Sequence, residues 1–156
     1  MAILSENTKA PNFSLINSAG KNKTLADYKS GYLVLYFYPK DDTSGCTLEA
    51  QTFTSKLAEF KKLNCSVVGV SPDDTKSHCK FMDKYKLEVE LLSDPEKKTL
   101  SDYGVWVEKS MYGRKYMGVE RSTFLIDKTG TIKKIWRKVS VPGHVEEVLG
   151  EVKKIK

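Results

Sequence analysis

The chain has 156 residues, of which 40% are hydrophobic and 29% charged, a balance typical of a soluble globular protein, and we expect one domain over 1–156. The formal charge is +6 at pH 7, but the lysines are interspersed with acidic residues along the whole chain, so we expect no specific nucleic-acid partner. No apolar run approaches the roughly 20 residues of a membrane helix, and we expect no membrane association.

The N-terminal segment and the cysteines indicate the cellular location. Residues 1–13 lack the basic start and the apolar block of a secretory signal. Cys46, Cys65 and Cys79 make an odd count with irregular spacing, unlike the disulfide framework of a secreted domain, and there is no C-x-x-C motif. We therefore expect a cytoplasmic protein whose cysteines either are inert core residues or carry chemistry.

The first half of the chain predicts two strands, each followed by a helix. The run YLVLYFY at 32–38 is apolar throughout, as expected of a strand that is buried on both faces. Pro39 ends this strand, and apolar residues then recur at helical spacing over 53–60. A second apolar strand is predicted at 66–71, and a second helix at 75–85.

The second half of the chain predicts a hairpin between helices. A short strand is expected at 91–92 and a short helix at 95–103. Two apolar runs, 123–127 and 131–137, flank a glycine-containing turn and predict a β-hairpin. An amphipathic helix over 142–154 closes the chain. This order of elements indicates an α/β sandwich with a mixed sheet, in which the first two strands are parallel.

Cys46 falls at the junction between the first predicted strand and its helix. If Thr43 is the N-cap, Cys46 lies in the first helical turn, where unpaired amides and the helix dipole stabilise a thiolate. The small Gly45 would let a substrate oxygen approach the backbone, and Pro39 could shield the thiol from water. These local features allow two interpretations of Cys46, a reactive thiol and an inert buried one.

Pro39, Thr43 and Cys46 match the P-x-x-x-T-x-x-C signature of the peroxiredoxins, and FYPKDDTSGCTLEA resembles the subgroup called bacterioferritin comigratory protein, or PrxQ. The resemblance continues in order through GVSPDD, SHCKF, LLSD, YGV and RSTFLID, and it covers essentially the whole chain. It implies a thioredoxin-like α/β fold, a central mixed β-sheet flanked by helices. It also implies a monomeric thiol peroxidase that acts on hydrogen peroxide and organic hydroperoxides and is recycled by thioredoxin or a similar dithiol.

The resemblance also assigns roles to single residues. It implies that the peroxidatic cysteine is Cys46, that Thr43 hydrogen-bonds thiolate and peroxide, and that Pro39 shields the sulfur. It implies that Arg121 stabilises the thiolate and the transition state, with Glu49 orienting that arginine. These roles suit the chemistry, because donors fixed around a leaving oxygen stabilise its developing negative charge, and the Gly45 amide is expected to be another such donor. Arg121 precedes a strand that, if antiparallel to 32–38, starts at the sheet edge where Cys46 lies.

The oxidised Cys46 sulfur must then be resolved by another thiol. One branch of the family carries the resolving cysteine five residues after the first, where this chain has Gln51; Ser44 likewise replaces a usual proline. Cys65 is expected at the opposite sheet edge, roughly 20 Å away, whereas a disulfide needs Cα atoms within about 7 Å. Cys79, in the second predicted helix, is therefore our candidate, with an external thiol as the alternative.

Two other functions are alternatives to a peroxidase, and one pair of residues resembles a metal site. A redox sensor would use oxidised Cys46 to change partner binding, and a polyanion-binding module would follow from the net charge. His78 and Cys79 are adjacent, and adjacent helical residues point about 100° apart, which makes a poor chelate. We therefore expect no metal or cofactor, and we expect His78 to be a polar surface residue.

Overall fold

A seven-stranded mixed β-sheet lies at the centre of the computed structural model, which describes residues 4–155. Residues 1–3, which belong to the N-terminal segment that lacks the features of a secretory signal, and residue 156 lie outside the described residues. The strands are β1 (Ser14–Asn17), β2 (Asn22–Thr24), β3 (Tyr32–Phe37), β4 (Cys65–Ser71), β5 (Glu90–Ser93), β6 (Trp106–Met111), β7 (Arg114–Val119), β8 (Ser122–Ile126) and β9 (Ile132–Trp136). The sheet order is β2-β1-β5-β4-β3-β8-β9, and β6 and β7 form a separate two-stranded sheet.

Helices flank this sheet and follow the strands that position the site. A 3₁₀ helix spans Leu25–Tyr28, and the α-helices are α1 (Ser44–Lys62), α2 (Thr75–Tyr85), α3 (Lys98–Asp102) and α4 (His144–Ile155). No helix among residues 4–155 is both long and apolar enough to cross a membrane. α3 and α4 begin later than predicted, because turns occupy positions 95–97 and 142–143.

The pairing of the central strand β3 with its two neighbours determines which chain segments meet at each edge of the sheet. All its residues after Tyr32 are buried, as the apolar run predicted. β3 pairs in parallel with β4, where Tyr32 faces Cys65, and antiparallel with β8, where Phe37 faces Ser122. The predicted parallel pair and the predicted antiparallel hairpin of β8 and β9 are both confirmed. The carboxyl end of β3 and the start of β8 therefore meet at one edge of the sheet.

Buried side chains form a core on each face of the sheet. On one face Phe37, Tyr103 and Phe124 pack together with ring centroids 5.1 to 5.7 Å apart. On the face covered by α1 and α4, Tyr36 stacks on Phe53 at 4.7 Å. The Tyr36 ring lies directly over β4, where only a glycine leaves room for it, since a Cβ at position 69 would come within 2.6 Å.

Candidate active site

Cys46 lies in the first turn of α1, as predicted, and its side chain is buried, with 1% of the residue exposed. Thr43 is the N-cap residue, with extended backbone angles. The sulfur therefore lies just past the carboxyl end of β3, beside backbone amides that have no partner within the helix. In open α/β sheets, binding sites are commonly found at this edge.

Arg121 joins Cys46 to Glu49. One guanidinium nitrogen, Nη2, donates to Cys46 Sγ at 3.1 Å, and Nη1 donates to Glu49 Oε1 at 2.6 Å. Cys46 and Glu49 are three residues apart in α1 and so lie on the same face of the helix. The antiparallel pairing of β8 with β3 brings Arg121 to this face, as the sequence predicted.

Burial and neighbouring charges shift the pKa values of Glu49 and Arg121 within the trio formed by Cys46, Glu49 and Arg121. The Glu49 side chain is fully buried, and burial raises the pKa of its carboxyl to about 7, although the Arg121 charge and hydrogen bond act in the opposite direction. Burial also tends to lower the pKa of Arg121, but the neighbouring Glu49 and Cys46 outweigh it and the pKa is raised above its usual value. The arginine therefore keeps its positive charge next to the sulfur.

Three further predicted residues lie before and within the first turn of α1. A Cβ at Gly45 would lie 3.3 Å from Arg121 Nη2, so the missing side chain leaves space for the guanidinium. Thr43 is exposed, and its hydroxyl donates to the Lys40 carbonyl at 2.8 Å, so its oxygen can still accept a hydrogen bond. Pro39 is half-buried directly after β3.

A buried polar network, which no local sequence pattern indicates, holds this segment in place. Asp41 accepts hydrogen bonds from the Tyr38 hydroxyl at 2.6 Å and the Ser77 hydroxyl at 2.8 Å. His78 Nδ1 lies 2.7 Å from Asp41 Oδ2, and His78 Nε2 lies 3.0 Å from the Leu92 carbonyl oxygen. The expectation that His78 is a surface residue was wrong, because its side chain is fully buried against this carboxylate.

Asp41, Asp73 and His78 each place one potential metal ligand atom within 4.8 Å of the others. Hydrogen bonds within the cluster already use these atoms. Asp73 Oδ2 accepts from the Asp41 amide at 2.8 Å and from the Ser71 hydroxyl at 2.7 Å. The arrangement joins the loop before α1 to the loop before α2, which is a structural role.

The other two cysteines lie in different surroundings. Cys65 is buried at the start of β4, at the opposite edge of the sheet from Cys46, and burial raises the pKa of its thiol to about 12. Cys79 is exposed on α2, and its thiol donates to the Ser18 carbonyl at 3.1 Å. Ser18 follows β1, which lies three strand positions from β3 in the sheet, or roughly 14 Å at ordinary strand spacing. The folded structure therefore does not bring Cys79 to Cys46.

Tyr36 and His144 are two further buried residues that the sequence did not single out. The Tyr36 hydroxyl and Glu49 Oε2 are buried and have no hydrogen-bond partner among the described residues. His144, for which the sequence predicts no role, lies at the start of α4 with its Nε2 2.8 Å from the Thr123 hydroxyl. Burial lowers the pKa of His144 to about 4. A tyrosine within an apolar strand and a lone histidine carry no distinctive local pattern.

Comparison with known proteins places this arrangement in a family context. A family model described as the AhpC/TSA family matches residues 7–135. Among curated proteins, the chain is 48% identical to Peroxiredoxin Bcp of Bacillus subtilis, over 93% of this chain and 92% of that protein. It is 46% identical to a putative peroxiredoxin bcp of Coxiella burnetii, over 92% of this chain and 95% of that protein.

Solved structures give the same result. A structure of the Xanthomonas campestris bacterioferritin comigratory protein, studied for its alkyl peroxide reduction activity, matches with a TM-score of 0.87 and 41% identity, over 91% of this chain and 90% of that one. A Xylella fastidiosa PrxQ structure matches with a TM-score of 0.93 and 40% identity, over 99% of this chain and 98% of that one. The predicted thioredoxin-like fold, a mixed sheet with flanking helices, is thereby confirmed.

Proposed function

The chain belongs to the AhpC/TSA family, within its Bcp/PrxQ peroxiredoxins, and from that premise we propose that it is a peroxidase that reduces hydroperoxides with the Cys46 sulfur. The observation that carries this proposal is the contact of 3.1 Å between Arg121 Nη2 and the buried Cys46 Sγ. A cation fixed at this distance stabilises a thiolate, which is the nucleophilic form of cysteine. Hydrogen peroxide and organic hydroperoxides are the proposed substrates.

The reaction proceeds by attack of the Cys46 thiolate on one peroxide oxygen. A sulfur–oxygen bond forms, the O–O bond breaks, and negative charge develops on the leaving oxygen. Arg121 and the amides at the start of α1 are fixed donors beside that oxygen, and such preorganised donors lower the barrier. The Thr43 oxygen can accept from the peroxide O–H, because its own proton is held by the Lys40 carbonyl. Pro39 limits the access of water to the sulfur.

Turnover of hydrogen peroxide with thioredoxin as reductant tests this proposal. Cys46→Ser is expected to abolish peroxide consumption, since among residues 4–155 Cys46 supplies the thiol that contacts the Arg121 guanidinium. Cys65→Ala is the matched control, because Cys65 is buried at the far edge of the sheet, and this variant is expected to retain the wild-type rate. Full activity in Cys46→Ser would contradict the proposal.

For the second half of the cycle, we propose that Cys79 resolves the Cys46 sulfenic acid. Of the two remaining thiols, Cys79 is the exposed one, and α2 begins at the same sheet edge as α1. The approach requires the first turns of α1 or α2 to unwind locally, because the Cys79 thiol lies against Ser18 in the folded protein. The rival is a one-cysteine cycle in which an external thiol attacks Cys46.

Intact mass after one equivalent of peroxide separates these two cycles. If Cys79 resolves, wild type and Cys65→Ala lose two hydrogens and form a disulfide, whereas Cys79→Ser retains an added oxygen on Cys46. A disulfide that forms normally in Cys79→Ser, or an added oxygen that persists in wild type, would exclude Cys79.

We propose that the protein acts as a cytoplasmic monomer recycled by thioredoxin or a similar dithiol protein. A dithiol reductant suits either cycle, because its first thiol opens the oxidised form as a mixed disulfide and its second releases the reduced enzyme. Sedimentation velocity of the reduced and oxidised protein tests the monomer, and a dimer in either state would contradict it.

A further inference from the structure

Two buried acidic groups, the Cys46 thiol and the Glu49 carboxyl, are held by the half-buried guanidinium of Arg121. Arg121 donates to both, at 3.1 Å and 2.6 Å. A thiolate and a carboxylate together would leave the three groups with a net negative charge, because Arg121 neutralises only one of them. Like charges close together in a partly buried site disfavour the doubly ionised state.

The surroundings of Glu49 fit a protonated carboxyl when Cys46 is a thiolate. Oε1 accepts from Arg121, but Oε2 is buried and has no hydrogen-bond partner among residues 4–155. An ionised carboxylate needs donors on both oxygens, and leaving one bare in the interior is costly. The Tyr36 hydroxyl is also buried without a partner among these residues, and burial raises its pKa.

We propose that Cys46 and Glu49, which are both bound to Arg121, hold one proton between them. In this proposal Glu49 gives that proton to the oxygen that leaves the hydroperoxide. This inference rests on the peroxidase function proposed above and adds a second role for Glu49, beyond orienting Arg121. In the resting site, Glu49 takes up the proton that Cys46 loses. The reactive form therefore has a Cys46 thiolate, a charged Arg121 and a neutral Glu49.

The step balances in atoms and charge. The Cys46 thiolate attacks the terminal oxygen of R–O–O–H, the S–O bond forms and the O–O bond breaks, so sulfur is oxidised by two electrons and the peroxide is reduced. The leaving alkoxide takes the Glu49 proton, which yields a sulfenic acid, an alcohol and a Glu49 carboxylate. When the dithiol reductant later restores Cys46 as a thiol, Glu49 takes that proton and the reactive form returns.

The arrangement favours the reaction because the net charge of the trio is the same before and after the step. Before attack, the trio is neutral overall, with thiolate and guanidinium paired. After attack and proton transfer it is again neutral, with carboxylate and guanidinium paired. Arg121 already contacts both partners, so it passes from one anion to the other without moving. General-acid catalysis of this kind typically contributes about 10²- to 10⁴-fold to a rate.

Glu49→Gln tests the proposal, because glutamine has the same size and its amide oxygen can accept from Arg121, but it cannot hold the proton. Alkylation of Cys46 by iodoacetamide reports the thiolate, and stopped-flow reaction with tert-butyl hydroperoxide reports the complete step. At about pH 6, below the pKa of about 7 for Glu49, we expect Glu49→Gln to be alkylated at least as fast as wild type. We expect its reaction with the hydroperoxide to be about 10²-fold slower.

A purely orienting role for Glu49 predicts a different result. In that case both rate constants would fall together, or neither would change by more than about twofold, and either outcome would overturn the proposal. Glu59→Gln, in the same helix but with a side chain 45% exposed, is the matched control and is expected to match wild type in both assays. If the wild-type protein does not react with hydroperoxide at all, the proposed function itself is wrong, which is a distinguishable outcome.

Infrared difference spectroscopy on the wild-type protein tests the same proton without a variant. Addition of one equivalent of hydroperoxide is expected to remove the carbonyl band of a protonated carboxyl and to produce a carboxylate band as Cys46 is oxidised. The absence of this change in a protein that consumes the peroxide would overturn the proposal.

Discussion

Replacing His78 with leucine should destabilise the protein strongly, because the buried Asp41 carboxyl would lose its imidazole hydrogen-bond partner. The contact of 2.7 Å between His78 Nδ1 and Asp41 Oδ2 requires one proton between the two atoms, and Nε2–H donates to the Leu92 carbonyl at 3.0 Å. Leucine fills similar volume but supplies no donor. The Asp41 carboxylate, whose side chain is 4% exposed, would keep only its hydroxyl donors.

The size of the effect follows from the burial of both partners. Removing one partner of a buried, hydrogen-bonded pair of this kind is expected to cost about 3–5 kcal/mol, because the Asp41 carboxyl stays buried without its partner. For a chain of this length, each kcal/mol lowers the melting temperature by about 2–4 °C, so a fall of roughly 6–20 °C is expected. Urea denaturation followed by tryptophan fluorescence gives the free energy of unfolding directly.

A double-mutant cycle identifies the pair as the cause. Asp41→Asn combined with His78→Leu should cost less than the sum of the two single changes, by more than about 0.5 kcal/mol. Lys80→Leu, at an exposed position of α2, is the control and should change stability by no more than about 0.5 kcal/mol. A loss below about 1 kcal/mol in His78→Leu, or additive effects in the cycle, would refute the reasoning.

Three further predictions concern Arg121, the glycines and the pH dependence. Arg121→Lys should slow the reaction with peroxide about 10²-fold, because lysine lacks the planar fork that reaches both Cys46 and Glu49; a stopped-flow rate within threefold of wild type would contradict this. Gly45→Ala places a Cβ 3.3 Å from Arg121 Nη2 and should slow the same reaction, whereas Gly150→Ala, with nothing within 4 Å, should leave the rate unchanged and stabilise α4 by about 0.5–1 kcal/mol. Burial lowers the pKa of His144 from 6.5 to about 4. The unfolded chain therefore gains a proton between these values that the folded protein does not, and stability falls as the pH drops through this range. His144→Gln should lose less stability than wild type between about pH 7 and pH 4, as measured by urea denaturation, and equal losses would rule out this histidine as a cause.

Long apolar or periodic runs were sufficient to predict the elements that carry the site. The sequences of β3, β4 and α2 have regular apolar patterns, and the predicted bounds of these elements differ from the observed ones by one residue at most. The hairpin of β6 and β7 was missed because most of its residues are exposed or half-buried, so no apolar alternation marks it. Its turn has positive φ at Tyr112 and Gly113, and Tyr-Gly is a weak turn signal compared with Asn-Gly.

The meeting of Cys46 and Arg121 was predictable because strand direction alone decides which edge a residue occupies. The directions of individual side chains were not predictable. The Thr43 hydroxyl bonds to its own loop, and Cys79 lies on the side of α2 that faces β1. The burial of His78 depends on Asp41, 37 residues earlier in the chain. Such pairings depend on tertiary packing, which local sequence patterns do not contain.

The most direct test of the account is the rate at which the reduced protein reacts with one equivalent of hydrogen peroxide under single-turnover conditions. If Arg121 and the helix amides hold Cys46 ready for attack, the second-order rate constant should exceed that of free cysteine at the same pH by at least ~10³-fold. Cys46→Ser should lose this fast phase, whereas Cys65→Ala should keep it. A wild-type rate constant equal to that of free cysteine, or a fast phase that survives in Cys46→Ser, would contradict the account.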